Sequence, residues 1–414
     1  MHSSTTTIAQ THSPAVVRLL NRSAAWLKNT GIGNTPLQAD AMIANARRRT
    51  GLENFGEGEF HEALSRLLES CEKEAHMSFV GKLALKSSVH EVLVNRLRLQ
   101  KDRENHPAIA GQQIQRPLII TGLPRTGTTL LHSLLALDPA HRAPLTWEVM
   151  EPSPVDYRDA PKRIRRAASD LAWLDWLAPT FRTVHALGAE LPQECVAIMS
   201  HTFLSDQYDT MYNVPSYQAW IEEQDVTPAY RFHYRFLQHL QFVRGPRRWI
   251  LKAPAHLYSL PELLSVYPDA CFVQTHRNPM KVVASVASLT TVLRGAFSEQ
   301  VDPQLAGRQT VDYWSEALQR SMVAREELPP ERIIDIHFSE IKKDPLEAVR
   351  HVYAHFGMPL SVTTETRMRE FLALQPAEQH GAHRYCLSDF GLSEEAEAPR
   401  FAAYCERFGV LLAH

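Results

Sequence analysis

Cysteine and net charge are both scarce in this chain of 414 residues. Its five cysteines contain no C-x-x-C pair and are odd in number, which argues against a disulfide framework and a zinc site. The net charge of -2 gives no global attraction to nucleic acid or an anionic membrane. Neither a signal peptide nor an apolar run of about 18 residues occurs. We therefore expect a cytoplasmic protein without a membrane anchor, in which any anion is bound locally.

The apolar content of 44% is enough to bury a large core. Residues 1–13 are rich in Ser, Thr and His, and we expect them to form a disordered tail. Residues 14–110 carry apolar side chains at helical spacing, as at Leu64, Leu67, Leu68 and Cys71, and predict an N-terminal helical region. Residues 111–414 read as an α/β domain, with a helical insertion at about 145–245.

Four short apolar segments predict strands in the α/β domain. They are PLIITG (117–122), RRWILKAP (247–254), ACFVQTHR (270–277) and RIIDIHFSE (332–340). Each is followed by a helical pattern, and alternating strands and helices indicate a parallel sheet covered by helices on both faces. We therefore predict a three-layer α/β/α fold.

The segment TGLPRTGTT (121–129) is the most informative part of the chain. A buried strand runs into a turn with two glycines and then into a helix, which is the arrangement that presents backbone N–H groups and a helix N-terminus to a phosphate. The spacing from Gly122 to Gly127 matches the start of a Walker A loop, but Thr128 stands where that loop requires lysine. Arg125 supplies a cation at a different place, which suits a 5'-phosphosulfate better than a magnesium triphosphate.

PRTGTT after a strand resembles the 5'-phosphosulfate loop of sulfotransferases that use 3'-phosphoadenosine-5'-phosphosulfate (PAPS), in particular their bacterial and biosynthetic branch. The resemblance implies a P-loop-like fold and PAPS as the co-substrate, with no metal. It also implies that the loop binds the 5'-phosphate and the sulfuryl group. The loop residues concerned are Arg125, Thr126, Gly127, Thr128, Thr129 and Leu130.

Recognition of the 3'-phosphate requires a guanidinium and a hydroxyl donor. Arg277 ends a predicted strand and Ser285 follows eight residues later, which is similar to the R-x7-S pattern of the family. Phe338 stands at the aromatic position of the family's YED-x-x-x-DP segment, near the adenine, although it lacks the phenol. His383 and Tyr385, with Arg384 between them, are candidates for a loop that closes over the donor.

Sulfuryl transfer needs a base for the acceptor's proton and a cation for the leaving oxygen. Lys252 lies at the end of the second predicted strand and His256 follows four residues later, where the family carries a lysine and a histidine. By this analogy Lys252 stabilises the leaving group and His256 is the general base, with an ordinary pKa near ~6.5. Glutamates provide the alternative base or acceptor contacts. The candidates are Glu148, Glu190 and Glu194.

The sequence therefore predicts a sulfotransferase that transfers a sulfuryl group to a hydroxyl or amine of a small-molecule or carrier-bound acceptor. The acceptor's identity and the oligomeric state are not encoded in any motif. Two other functions use the same loop: an NTP-dependent phosphotransferase of the P-loop kinase type, and a nucleotide-binding protein without catalysis. The missing Walker lysine disfavours the first of these.

Overall fold

A five-stranded parallel sheet forms the centre of the protein. The computed structural model describes Val17, Asn21 and residues 36–177, 188–374 and 386–412, so the predicted tail at 1–13 lies outside the described residues. The strands are β1 Leu118–Gly122, β2 His141–Arg142, β3 Arg248–Lys252, β4 Cys271–His276 and β5 Ile333–His337. Their spatial order is β2-β3-β1-β4-β5, and every pairing is parallel.

Helices cover both faces of the sheet and fill the connections. In chain order they are α1 Ala39–Thr50, α2 His61–Lys73, α3 Phe79–Asn105, α4 Thr128–Ala136, α5 Thr146–Met150, α6 Ala160–Leu177, α7 Cys195–Met199, α8 Gln207–Met211, α9 Pro215–Glu222, α10 Thr227–Arg244, α11 Leu260–Val266, α12 Pro279–Phe297, α13 Pro303–Ala324, α14 Phe338–Lys343, α15 Pro345–His355, α16 Val362–Leu374, α17 Glu394–Glu397 and α18 Ala402–Phe408. This arrangement confirms the three-layer α/β/α prediction.

The alternation of side chains along the strands explains the layers. In β1, Leu118 and Ile120 pack into one core with α4, α15 and α16, whereas Ile119 packs into the other core. Successive side chains of a strand point to opposite faces, and all five residues of β1 are buried. An apolar run without alternation is therefore what a strand covered on both faces requires.

The second core joins three parts of the chain. It contains Leu64 and Leu67 of α2, Leu85 of α3, Tyr230 of α10 and Leu251 of β3. The N-terminal helices thus pack on the same sheet face as the insertion. This shared core runs across the boundary between regions 14–110 and 111–414. The division of the chain into these two regions stays a prediction.

The sequence analysis missed one strand and overextended another. The two-residue strand β2 is too short to produce a pattern, and it forms only because Arg142 pairs with Trp249 of β3. The predicted strand at 332–340 ends at His337, where Glu340 Oε1 accepts a hydrogen bond from the His337 backbone N–H. This cap starts helix α14 at Phe338, so residues 338–340 are helical.

Helix α12 is the one helix in the described ranges that is long and apolar enough to cross a membrane. Of its most apolar window, 78% is buried inside the protein. It packs against α13 and the C-terminal segment around Phe401 and Tyr404. The apolar surface of α12 is therefore explained by the core.

Candidate active site

The loop between β1 and α4 lies at the carboxyl edge of the sheet, where ligands bind in folds of this type. Arg125 has φ 64 and Gly127 has φ 90. The positive φ favours glycine there, and a Cβ atom at Gly127 would come within 2.8 Å of Ile341 Cδ1 and displace that side chain. The turn directs the chain into α4, whose first N–H groups and dipole face the loop. Such an arrangement is suited to binding an anion.

The side chain of Thr126 stabilises the loop from inside. Its hydroxyl lies 2.5 Å from the Leu123 carbonyl oxygen and 2.5 Å from the Thr275 hydroxyl of β4. Thr128 is buried at the start of α4, whereas Thr129 is exposed. The side chain of Leu130 packs against the core of α15 and α16. Thr129 thus differs from the other predicted loop residues in two ways. Its hydroxyl is open to a ligand, and it also contacts a functional group from another strand.

That functional group is Lys252, the last residue of β3. Its side chain is buried, and its Nζ lies 3.3 Å from Thr129 Oγ1 and donates a hydrogen bond to Glu194 Oε1. Ile120 of β1 is paired with Lys252 in the sheet, and this register places the ammonium group beside the loop. A buried lysine keeps its charge when a carboxylate compensates it. The fold therefore brings a cation, a carboxylate and the phosphate loop together.

Glu194 precedes α7 and comes from the insertion, far from Lys252 in sequence. Its side chain is 19% exposed, so one end of the ion pair reaches the surface of the site. Of the three glutamates predicted as candidates, it is the one that the described contacts join to Lys252. No short motif marks this pairing, since it depends on how the insertion packs on the sheet.

Glu148 and Glu190 have other environments. Glu148 is fully buried and accepts hydrogen bonds from Arg142 Nη2 at 2.9 Å and the Tyr157 hydroxyl at 2.7 Å. Burial, reinforced by this carboxylate, raises the pKa of Tyr157 to about 12. Both oxygens of Glu148 are used, because the Leu145 backbone N–H donates to the second. Its role is therefore internal, whereas Glu190 is exposed and contacts none of these groups in the described chain.

His256 lies in a short 3-10 helix, Pro254–Leu257, directly after β3. Its ring is 1% exposed, and Nδ1 is 2.9 Å from the Tyr230 hydroxyl of α10. Burial, with a smaller contribution from His233, lowers the pKa of His256 to about 3. The ordinary pKa near ~6.5 expected from the sequence is therefore wrong, because desolvation penalises the charged ring. Tyr230, which the sequence analysis missed, belongs to an ordinary buried helix stripe that gives no signal of its own.

A small cleft lies between α7, α9, α10, α13 and the segment after β3. Its walls include Val196 and Met199 of α7, Tyr230, and Ala255 and Tyr258 after β3. Its lining residues Val196 and Ala255 are two and three residues from Glu194 and Lys252 in sequence, whereas neither member of the ion pair lines the cleft itself. Asp206, Glu222 and Glu262 line it as well. Burial raises the pKa of Asp206 to about 6. The cleft thus combines an apolar wall with carboxylates.

Arg277 and Phe338 occupy the next two strand ends. Arg277 follows β4, and its Nη1 donates a hydrogen bond of 2.5 Å to the Arg125 carbonyl oxygen. Its Cζ lies 4.2 Å from the centre of the Phe338 ring. Ser285 is buried two turns into α12. His383 and Tyr385, like Arg384, lie outside the described residues. Among the described residues, no group of three or more His, Cys, Asp or Glu side chains is arranged to hold a metal ion.

Comparison with known proteins identifies relatives of this site and fold. Residues 117–362 match the Sulfotransferase family. The omega-hydroxy-beta-dihydromenaquinone-9 sulfotransferase Stf3 of Mycobacterium bovis is 27% identical over 269 residues, which are 62% of this chain and 66% of that protein. The chain thus aligns with just under two thirds of this curated relative.

Two crystal structures extend the likeness over nearly the whole chain. Sulfotransferase STF1 from Mycobacterium tuberculosis has a TM-score of 0.79 and 32% identity, covering 89% of this chain and 99% of that one. Sulfotransferase STF9 from Mycobacterium avium has a TM-score of 0.81 and 28% identity, covering 92% and 99%. The match therefore includes most of the N-terminal helices and the insertion as well as the sheet.

Proposed function

The chain belongs to the sulfotransferase family, and we propose that it transfers a sulfuryl group from PAPS to a hydroxyl of a small-molecule acceptor. The observation that carries the proposal is the meeting of Lys252, Glu194 and Thr129 at the phosphate loop. A cation for the leaving oxygen and a carboxylate for the acceptor's proton are the two groups that the reaction needs.

The residues around the loop fit PAPS. The N-terminus of α4 and the loop amides bind the 5'-phosphosulfate, in a turn whose φ of 90 at Gly127 favours glycine. Arg277 at the next strand end, with Ser285, binds the 3'-phosphate, since a guanidinium suits a phosphate dianion. A donor of this kind supplies the sulfuryl group and leaves as adenosine 3',5'-bisphosphate. This assignment extends the family's reaction to the residues of this chain.

We assign the general base to Glu194, in place of His256. The acceptor oxygen attacks sulfur and gives its proton to the Glu194 carboxylate, while the bond from sulfur to the bridging phosphate oxygen breaks. Lys252 Nζ, between Thr129 and Glu194, stabilises the charge on that oxygen. His256 is buried against the Tyr230 hydroxyl, and burial lowers its pKa to about 3, so its ring would hold the acceptor's proton only weakly.

Val196 and Met199 lie on α7, which follows Glu194 directly, and they give the nearby cleft an apolar wall, which favours a partly apolar alcohol as acceptor. The curated relative acts on a hydroxylated menaquinone, and we propose a lipid-like alcohol for this chain too. A carrier-bound acceptor stays a prediction. We also propose a cytoplasmic location, where free cysteines persist; all five are unpaired, and four are buried.

A turnover assay with PAPS labelled in the sulfuryl group tests this function. Four acceptors are compared: a long-chain alkan-1-ol, an omega-hydroxylated prenyl quinol, a phenol and an amine. We expect labelled sulfate ester from the first two. Glu194→Gln should lower kcat by on the order of 10²- to 10⁴-fold, while His256→Asn serves as the matched comparison. If kcat fell equally in both variants, or only in His256→Asn, the role of general base would be assigned to His256.

The P-loop kinase alternative is not supported. The relatives reported above are sulfotransferases, and Thr128 stands at the position of the lysine that such kinases need. The alternative of a nucleotide-binding protein without catalysis is likewise unsupported, since the ion pair of Lys252 and Glu194 has no role in nucleotide binding alone. ATP turnover that depends on magnesium would reverse the first conclusion.

A further inference from the structure

Arg277 and Phe338 become neighbours because of the register of two parallel strands. The last pair between β4 and β5 joins His276 to His337. Arg277 and Phe338 are the next residues of the two strands, so both leave the sheet at the same edge. They are 61 positions apart in the chain, and neither sequence segment contains a sign of the other.

The ring of Phe338 makes two different contacts. One face lies under the Arg277 guanidinium, with Cζ at 4.2 Å from the ring centre. Its Cδ2 is 3.4 Å from the position that a Cβ would take at Gly127, so the ring edge borders the phosphate loop. Arg277 Nη1 is also tied to the loop, through the Arg125 carbonyl oxygen at 2.5 Å. The ring, the guanidinium and the loop therefore hold one another in place.

We propose that Phe338 is a positioning residue that fixes the Arg277 guanidinium at a set distance from the phosphate loop and thereby selects a donor with a 3'-phosphate. This inference rests on the proposed function, since it assumes that the loop and Arg277 each bind one phosphate of the same nucleotide. An arginine side chain loses considerable freedom when it is ordered, and a stacked aromatic ring removes that freedom before the ligand arrives.

The assignment changes the role expected from family resemblance, which put the aromatic near the adenine. The guanidinium covers one face of Phe338, so that face is not available to a base. It also explains why phenylalanine suffices here. A ring that positions a cation needs its π face and no phenol hydroxyl.

The experiment is calorimetric titration of three probes: adenosine 3',5'-bisphosphate, adenosine 2',5'-bisphosphate and adenosine 5'-monophosphate. Phe338→Leu and Phe338→Met remove the π face with side chains of similar volume but different shape, so that one variant remains informative if the other disturbs folding. Phe338→Tyr keeps the face. We expect the Phe338→Leu and Phe338→Met variants to bind the 3',5'-bisphosphate roughly 3- to 30-fold more weakly than the wild type does. The affinity of these two variants for the monophosphate should change less than twofold, so their preference for the 3',5'-bisphosphate over the 2',5'-bisphosphate should become smaller. Phe338→Tyr should keep the preference of the wild type.

Two results would overturn the proposal. The first is a loss of affinity that is the same for all three probes, which would make Phe338 a packing residue of the loop. The second is a 3'-preference that survives in Phe338→Met and Phe338→Leu. If the wild-type protein itself shows no 3'-preference, the proposed function fails together with this inference, and the wild-type titration alone reveals it. Thermal unfolding of each variant checks that the fold is intact.

Discussion

The proposed donor side and the proposed acceptor side of the site are built in different ways. The proposed donor side consists of residues at the ends of neighbouring strands: the loop after β1, Lys252 at the end of β3 and Arg277 after β4. The acceptor side is assembled from α7, α10 and the segment after β3, which come from distant parts of the chain. In the proposed function, the sheet edge therefore carries the chemistry common to the family, and the packed helices carry the selectivity for the acceptor.

The largest effect is expected on the donor side, at Lys252. Lys252→Ala removes the cation that stabilises the leaving oxygen, and we expect kcat to fall by on the order of 10³-fold. Labelled-PAPS turnover measures it, with the exposed Lys343→Ala as a control that should change nothing. Turnover above a tenth of the wild-type rate in Lys252→Ala would remove this residue from the mechanism.

The next effect concerns the shape of the loop. Gly127→Ala places a side chain at φ 90 and within 2.8 Å of Ile341 Cδ1, so affinity for adenosine 3',5'-bisphosphate should fall by on the order of 10- to 100-fold. Gly245→Ala is the matched control, because that glycine has φ 75 but nothing within 4 Å of its Cβ position. The Gly245→Ala variant should bind adenosine 3',5'-bisphosphate as tightly as the wild type does. An equal loss of affinity in both variants would contradict a specific role of the Gly127 turn in binding.

Acid should destabilise the acceptor side first. Burial lowers the pKa of the following histidines to about 3 or 4: His201, His233, His239 and His256 around the insertion, and His132 under the loop. Because their unfolded pKa is near ~6.5, the unfolded chain binds more protons below that pH. Stability is therefore lost as pH falls, by about 1.4 kcal/mol per pH unit for each histidine.

Denaturant unfolding between pH 7 and pH 5.5 measures how the free energy of unfolding depends on pH. Hydrogen exchange shows which helices lose stability first. Exchange should rise in α10 before it rises in α4. His201→Phe, which removes one titrating ring among Phe232 and Phe236, should reduce the slope by about one proton. A flat profile above pH 5.5 would show that these rings accept protons without unfolding.

The smallest effect is expected for His256→Asn. If Glu194 is the base, this change disturbs only the contact with the Tyr230 hydroxyl and the shape of the cleft. We expect less than about a tenfold fall in kcat, which is below the range typical of a lost general base, and an unchanged pH profile. A new pH dependence, or loss of turnover as complete as in Lys252→Ala, would make His256 catalytic.

The contrast between the two sides also explains what the sequence could predict. Strand, loop and helix follow one another within about ten residues around Gly127, so the chain itself shows the cradle, and Lys252 and Arg277 are marked by strand ends. The pairing of Glu194 with Lys252 depends on how the insertion packs. Burial, which sets the pKa of His256, is likewise a property of the whole fold.

The most direct test of the central claim is calorimetric titration of adenosine 3',5'-bisphosphate against adenosine 5'-monophosphate, in the wild type, in Arg277→Ala and in the exposed control Arg308→Ala. We predict that the bisphosphate binds more tightly, by a margin that Arg277→Ala abolishes and Arg308→Ala preserves. Equal affinity for the two nucleotides, or a margin that does not depend on Arg277, would contradict a PAPS site at this sheet edge.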